Sequence, residues 1–300
     1  MTEIHKPQLV CENLGWPEGP TLLPDGSVVF VESYRSQLTR VGADGVAQRY
    51  AYTMGAPNSS VLGGDGALYV CQNGGTVGPW RAAEMTAPSI QRIRRDGLPE
   101  TLVTHVEGIA LNGPNDLCFA PDGSLVWTDP GTYNPACPDP SYIFRLTPDS
   151  QAKVQVRFDR PTFPNGVVVE ADGSVVWDES YTGHVKRQRP DGRIEDLGRM
   201  LGDNPILDGM AIAADGSLLV TDLAGKGIHV VAPDGRILDL ISAGGAPTNL
   251  AFDGETLWIT DAAVLAASAE ASYHGKLWKM HYRGGGAPVA RGSIRVGGRP

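Results

Sequence analysis

The feature that most constrains this chain is an Asp-Gly turn between short apolar runs that comes round six times. The pairs are Asp25-Gly26, Asp65-Gly66, Asp122-Gly123, Asp172-Gly173, Asp215-Gly216 and Asp253-Gly254, each followed by an apolar run such as Ser217-Leu218-Leu219-Val220. A second set falls inside the same units, at Asp44-Gly45, Asp96-Gly97, Asp149-Ser150, Asp191-Gly192 and Asp234-Gly235. Asp-Gly between apolar runs closes a hairpin, since Gly takes positive φ at no steric cost. Two tight turns per unit imply four strands per unit. Six such units predict an all-β fold, a six-bladed β-propeller with four-stranded antiparallel blades. An open solenoid would need polar, atypical terminal units as caps, and the first and last units here are neither.

Residues 1–300 are therefore expected to form a single propeller domain. Outer strands such as Ile194-Glu195-Asp196-Leu197 precede each unit, and Gln8-Leu9-Val10-Cys11 stands in the same relation to the first. This N-terminal strand is expected to close the last blade, with the tail Ala287 to Val296 as its competitor. A net charge of -9 without a Lys/Arg cluster argues against a nucleic-acid partner. The start Met1-Thr2-Glu3-Ile4-His5-Lys6 is polar, and no later run is long enough to cross a bilayer, so a cytoplasmic protein without a membrane partner is expected. Cys11, Cys71, Cys118 and Cys137 are too scattered for a zinc site or disulfide scaffold.

In an antiparallel blade the tight turns share one face, and the other face carries the long connections. Those are 72–89 in blade two, 130–141 in blade three and 262–273 in blade six, and binding residues concentrate on such loops. The entries to the innermost strands share that face. Seven residues before each Asp-Gly stand Glu18, Asn58, Asn115, Asn165 and Asp208, with Thr248 or Asn249 in blade six. Each alone reads as a side chain bonding its own loop. Aligned on one axis, they make an oxygen-only set suited to a hard divalent cation, Ca2+ first, with Mg2+, Mn2+ and Zn2+ as competitors.

A second set, Glu32, Gln72, Asp129, Glu179, Asp222 and Asp261, falls where each second strand opens into its loop. Loop capping accounts for it, with Asp129 the exception expected to reach substrate because it adjoins the long blade-three loop. Trp16, beside Glu18, and Tyr133, in the blade-three loop, are expected to shape the pocket. The polar segment from Trp177 to His184 either touches substrate or forms a solvated loop.

Four motifs, Trp16-Pro17-Glu18-Gly19-Pro20, Leu111-Asn112-Gly113-Pro114-Asn115-Asp116-Leu117, Phe163-Pro164-Asn165-Gly166 and Leu207-Asp208-Gly209, occur in this order along essentially the whole chain. Together they resemble the senescence marker protein, gluconolactonase and luciferin-regenerating enzyme family. The resemblance implies a six-bladed propeller with one catalytic divalent cation on Glu18, Asn165 and Asp208. It implies that Asn115 approaches the metal or the substrate, that Asp208 also transfers protons, and that the substrate is a lactone, typically of a sugar acid. Animal members carry an arginine two residues before the blade-three Asn to help hold substrate; this chain has Gly113.

The expected activity is metal-dependent hydrolysis of a cyclic ester, with Asp208 and Asn115 catalytic and a small lactone or ester as the partner molecule. Phosphotriester or aryl-ester hydrolysis at the same metal is a second reading. A structural calcium beneath a non-catalytic binding face is a third. Nucleophilic triads find little support, since there is no Gly-x-Ser-x-Gly elbow and no His-x-Glu-x-x-His pattern, and the six histidines are scattered.

Overall fold

The computed structural model describes residues 6–94, 97–266 and 268–295. Residues 1–5, Asp96 of the expected Asp96-Gly97 turn and Val296 of the tail lie outside the described residues. Six four-stranded antiparallel sheets follow one another around an axis, as the turn repeat predicts. Their innermost strands are Pro17–Leu22, Pro57–Leu62, Leu117–Phe119, Pro164–Val169, Leu207–Ile212 and Pro247–Asp253.

The Asp-Gly turns form as their chemistry requires. In blade one, Gly26 N–H donates to Leu23 O at 3.0 Å with Gly26 at φ 81°, and Asp25 Oδ1 accepts the Ser27 N–H at 3.0 Å. Asp65, Asp122, Asp172 and Asp215 accept the N–H two residues on in the same way. These Asx bonds set the length of the inner hairpins of blades one to five, and so the register of the ring at its other end.

Blades pack face to face through apolar side chains. Trp127 and Phe144, both fully buried, lie 5.4 Å apart between blades two and three, among Tyr69, Ile90 and Leu125. Truncating a buried Trp of this kind to Ala costs about 3–5 kcal/mol.

Closure comes from the N-terminus. Gln8–Leu14 pairs antiparallel with Gly275–His281 and completes the sixth blade. The tail takes a different place: it straps the lower mouth of the channel. Its Gly292 carbonyl accepts the Gly64 N–H at 2.7 Å, and Ile294 N–H donates to the Tyr69 hydroxyl at 3.0 Å. The strap closes off a lower cavity lined in part by Asp116, Asn249 and Ala287. Among the described residues, no helix is long and apolar enough to cross a membrane.

Candidate active site

Five of the six innermost strands, all but that of blade three, carry a bulge where they enter the channel. Pairing register slips between Glu18 and Thr21, Pro57 and Ser59, Pro164 and Val167, Leu207 and Met210, and Pro247 and Asn249. A bulge re-aims the side chains beside it. In register, Glu18, Asn58, Asn165, Asp208 and Thr248 occupy one level, and Asn115 stands at the entry of blade three. Glu18, Asn58, Asn115, Asn165 and Asp208 all line one upper cavity of about 150 Å³. Thr248 does not; its hydroxyl donates to Pro17 O at 2.7 Å.

Three of these residues are followed by glycine, and the reason is steric. A Cβ on Gly166 would overlap the Asp208 carbonyl oxygen and stand 2.7 Å from Asp178 Oδ2, and one on Gly19 would stand 2.6 Å from Ser59 Cα. One on Gly209 would lie 2.6 Å from Asn249 Nδ2. Without side chains there, neighbouring strands close up until Glu18, Asn165 and Asp208 face one another.

The electrostatics follow from that crowding. Glu18 and Asp208 are buried and hydrogen-bonded to each other. Burial holds Glu18 well above the usual carboxylate range, and the charges of Asp208 and Asp116 add to it. Asp208 is raised likewise, by burial first and then by Asp116. Two carboxylates that close share a proton unless a cation joins them. Among the described residues, no Lys, Arg or His lines the cavity.

Asn165 tests whether a cation fits. Its Nδ2 donates to Ser180 Oγ at 3.1 Å and to Leu207 O at 3.4 Å, which leaves Oδ1 buried without a partner. A stranded buried acceptor costs about 1–3 kcal/mol. Beside two carboxylates it completes an oxygen-donor set that fits a hard divalent cation. Among the described residues, no three His, Cys, Asp or Glu side chains are grouped to hold a metal by themselves, so a cation here depends on the carboxamide.

Trp16 and Tyr133 line the cavity, as does Ser180 from the polar segment that follows Trp177. That segment is no solvated loop: residues 177–180 are buried. Asp129 does not line the cavity. Its carboxylate accepts the Gly113 N–H at 2.7 Å and the Asn112 N–H at 3.1 Å, as Glu32, Gln72, Asp222 and Asp261 do for loop N–H groups in their own blades. Burial pushes Asp129 up to about 6 despite these bonds.

Asp116, one residue beyond Asn115, escaped the sequence reading. It sits below the ring, accepting from Ser59 Oγ at 2.6 Å and from Leu117 N–H at 2.9 Å. Its charge raises both Glu18 and Asp208. A signal existed: the residue after each ring position is Gly19, Ser59, Gly166 or Gly209 in other blades, so a carboxylate there is out of pattern.

The family model described as the SMP-30/Gluconolactonase/LRE-like region matches residues 16–263, which includes every residue of this ring. The chain belongs to this family. A gluconolactonase from Zymomonas mobilis is 26% identical over 298 residues, covering 84% of this chain and 78% of the relative. The fold is also that of a gluconolactonase from Xanthomonas campestris, with TM-score 0.72, 22% identity and coverage of 91% and 88% of the two chains. Regucalcin from Agrobacterium tumefaciens, a calcium-binding protein, superposes with TM-score 0.76 at 16% identity, over 97% of this chain and 98% of its own. At those identities the two structures speak to fold alone. Membership of a gluconolactonase-like family supports lactone hydrolysis on a small-molecule substrate.

Proposed function

We propose that this protein is a divalent-cation-dependent lactonase whose cation is held by Glu18, Asn165 and Asp208, with Asn115 beside it. The observation that carries the reading is the buried, partnerless Oδ1 of Asn165 next to the paired carboxyls of Glu18 and Asp208 in the cavity floor. The gluconolactonase relative supports the lactonase part of it. Calcium is the first candidate because the donors are all oxygen.

When bound, the cation would polarise the lactone carbonyl and lower the pKa of a water, chemistry that otherwise needs an oxyanion hole and a strong base. The chain's own residues do the rest. Asp208 takes the proton of the water as its oxygen bonds to the carbonyl carbon. The Asn115 amide steadies the oxyanion that forms. As the ring C–O bond breaks, Asp208 returns the proton to the leaving alkoxide, giving a hydroxy acid. Trp16 and Tyr133 flank the substrate.

Asp208→Asn tests the assignment. Lactone turnover should fall about 10²–10⁴-fold, the contribution of a positioned acid–base group, while circular dichroism stays that of the parent. Parental turnover in this variant would refute the role.

A further inference from the structure

The walls of the upper cavity differ in kind from its floor. Trp16, Val77, Phe163, Ile206, Leu223 and Leu265 supply apolar surface above the polar ring. Behind them Trp16, Val77 and Leu223 merge with Tyr34, Trp80 and Ala262 into one apolar cluster, with Trp16 and Tyr34 rings 5.8 Å apart and Tyr34 and Trp80 rings 4.9 Å apart.

Two wall residues hold an unfavourable backbone to be there. Trp16 has φ 54° and Phe163 has φ 55°, a left-handed conformation that bulky residues avoid. They stand at the same point of blades one and four, two residues before Glu18 and Asn165. Ile206 stands two before Asp208. Strain repeated at one structural position marks a functional demand, here an apolar side chain beside Glu18 and beside Asn165.

Asn58, Thr76, Thr132 and Tyr133 bring polar groups to the lining, but Phe163, Ile206, Leu223 and Leu265 offer nothing to a hydroxyl. Among the described residues, no cationic side chain lines the cavity. Asn73 spends its amide on its own loop, with Nδ2 donating to Thr76 O at 2.8 Å and Oδ1 accepting from Gly75 and Thr76 N–H at 3.0 and 3.2 Å. Gly113 brings no side chain, and a Cβ there would stand 2.6 Å from Gly131 O.

From this contrast we infer that the substrate is a compact lactone whose ring carries an apolar alkyl or aryl group, not a polyhydroxylated sugar-acid lactone. The inference rests on the lactonase reading. The carbonyl and ring oxygen lie on the polar floor, and the substituent lies against Phe163, Ile206 and Leu265. A sugar-acid lactone in the same pose would strand the hydroxyls that face Phe163, Ile206 and Leu265.

The test compares kcat/KM for glucono-δ-lactone and for δ-lactones bearing a pentyl or phenyl group, with calcium present. The apolar lactones should be favoured by about a hundredfold, the effect of two stranded hydroxyls. Leu265→Asn, at a position 46% exposed and so tolerant of change, should raise KM for the pentyl lactone about tenfold. Equal or greater kcat/KM for the sugar lactone overturns the inference and leaves the hydrolase reading standing. An unmoved KM in Leu265→Asn also counts against it. If no lactone turns over, the hydrolase reading fails, and calorimetric binding of the matching lactams decides the inference alone. Tighter binding of the pentyl lactam supports it; equal, reversed or absent binding overturns it.

Discussion

Gly166→Ala puts the geometry of the ring to the test with a single carbon. The added Cβ would stand 2.7 Å from Asp178 Oδ2, 3.0 Å from the carbonyl carbon of Gly209, and in overlap with Asp208 O. Backbone lies on the far side, so no rotamer change relieves the contact. The innermost strands of blades four and five must separate by roughly 1 Å in an interior packed too densely to absorb it. Overpacking of this kind costs about 1–3 kcal/mol. At roughly 2.1 cal/mol/K per residue, that lowers Tm by about 2–5 °C in a chain of this length. The larger effect is on the site, because Asn165 and Asp208 move apart. A displacement near 1 Å costs turnover about a hundredfold. Scanning calorimetry gives the first number and lactone hydrolysis the second. Gly26→Ala is the control: nothing lies within 4 Å of its Cβ, but φ is 81°, so it should lower Tm and leave turnover alone. Parental Tm and turnover in Gly166→Ala would refute the close approach of blades four and five and the ligand geometry derived from it.

Other outcomes follow from the same contacts. Asp116→Asn removes a charge that raises both Glu18 and Asp208, so the acid limb of calcium binding should move to lower pH, read by calorimetric titration across pH. Asp129 is held at about 6 in the fold against an ordinary 3.8, so the folded state binds the proton more tightly. Stability relative to Asp129→Asn should therefore fall as pH rises from about 4 to 6, by about 3 kcal/mol, and be flat above; denaturant titrations at each pH show this. Deleting residues 1–14 uncovers the Gly275–His281 edge and should produce aggregation with a lower Tm, seen by light scattering and calorimetry. Deleting residues 287–300 should leave the sixth blade paired and keep the protein monodisperse.

The fold was legible because its punctuation is chemical. Asp25-Gly26 and its counterparts specify a turn whatever surrounds them, and six copies fix blade number and strand count. The ring was legible by counting back from those turns, since hairpin length is set locally. The rest needed three dimensions. Asp116 belongs to the site through its charge, and nothing about its neighbour Asn115 shows that its side chain turns to the lower cavity. Asp129 looked free for substrate because its partners, the N–H groups of Asn112 and Gly113, come from the preceding loop. The tail reads as one more apolar strand, yet its place beneath the channel depends on Gly292 passing where a Cβ would meet the Phe119 ring at 2.6 Å. The left-handed backbone of Trp16 and Phe163 leaves no trace in residue type, which is why the apolar roof above the ring emerged only from the structure.

The most direct measurement is lactone hydrolysis by pH-stat on sugar-acid, alkyl and aryl lactones, run after chelator treatment and again with each divalent cation restored. Activity lost to chelator and regained with calcium or another single cation is the predicted result. Hydrolysis that survives complete removal of metal, or a folded protein that binds calcium and turns over no lactone, would contradict the account.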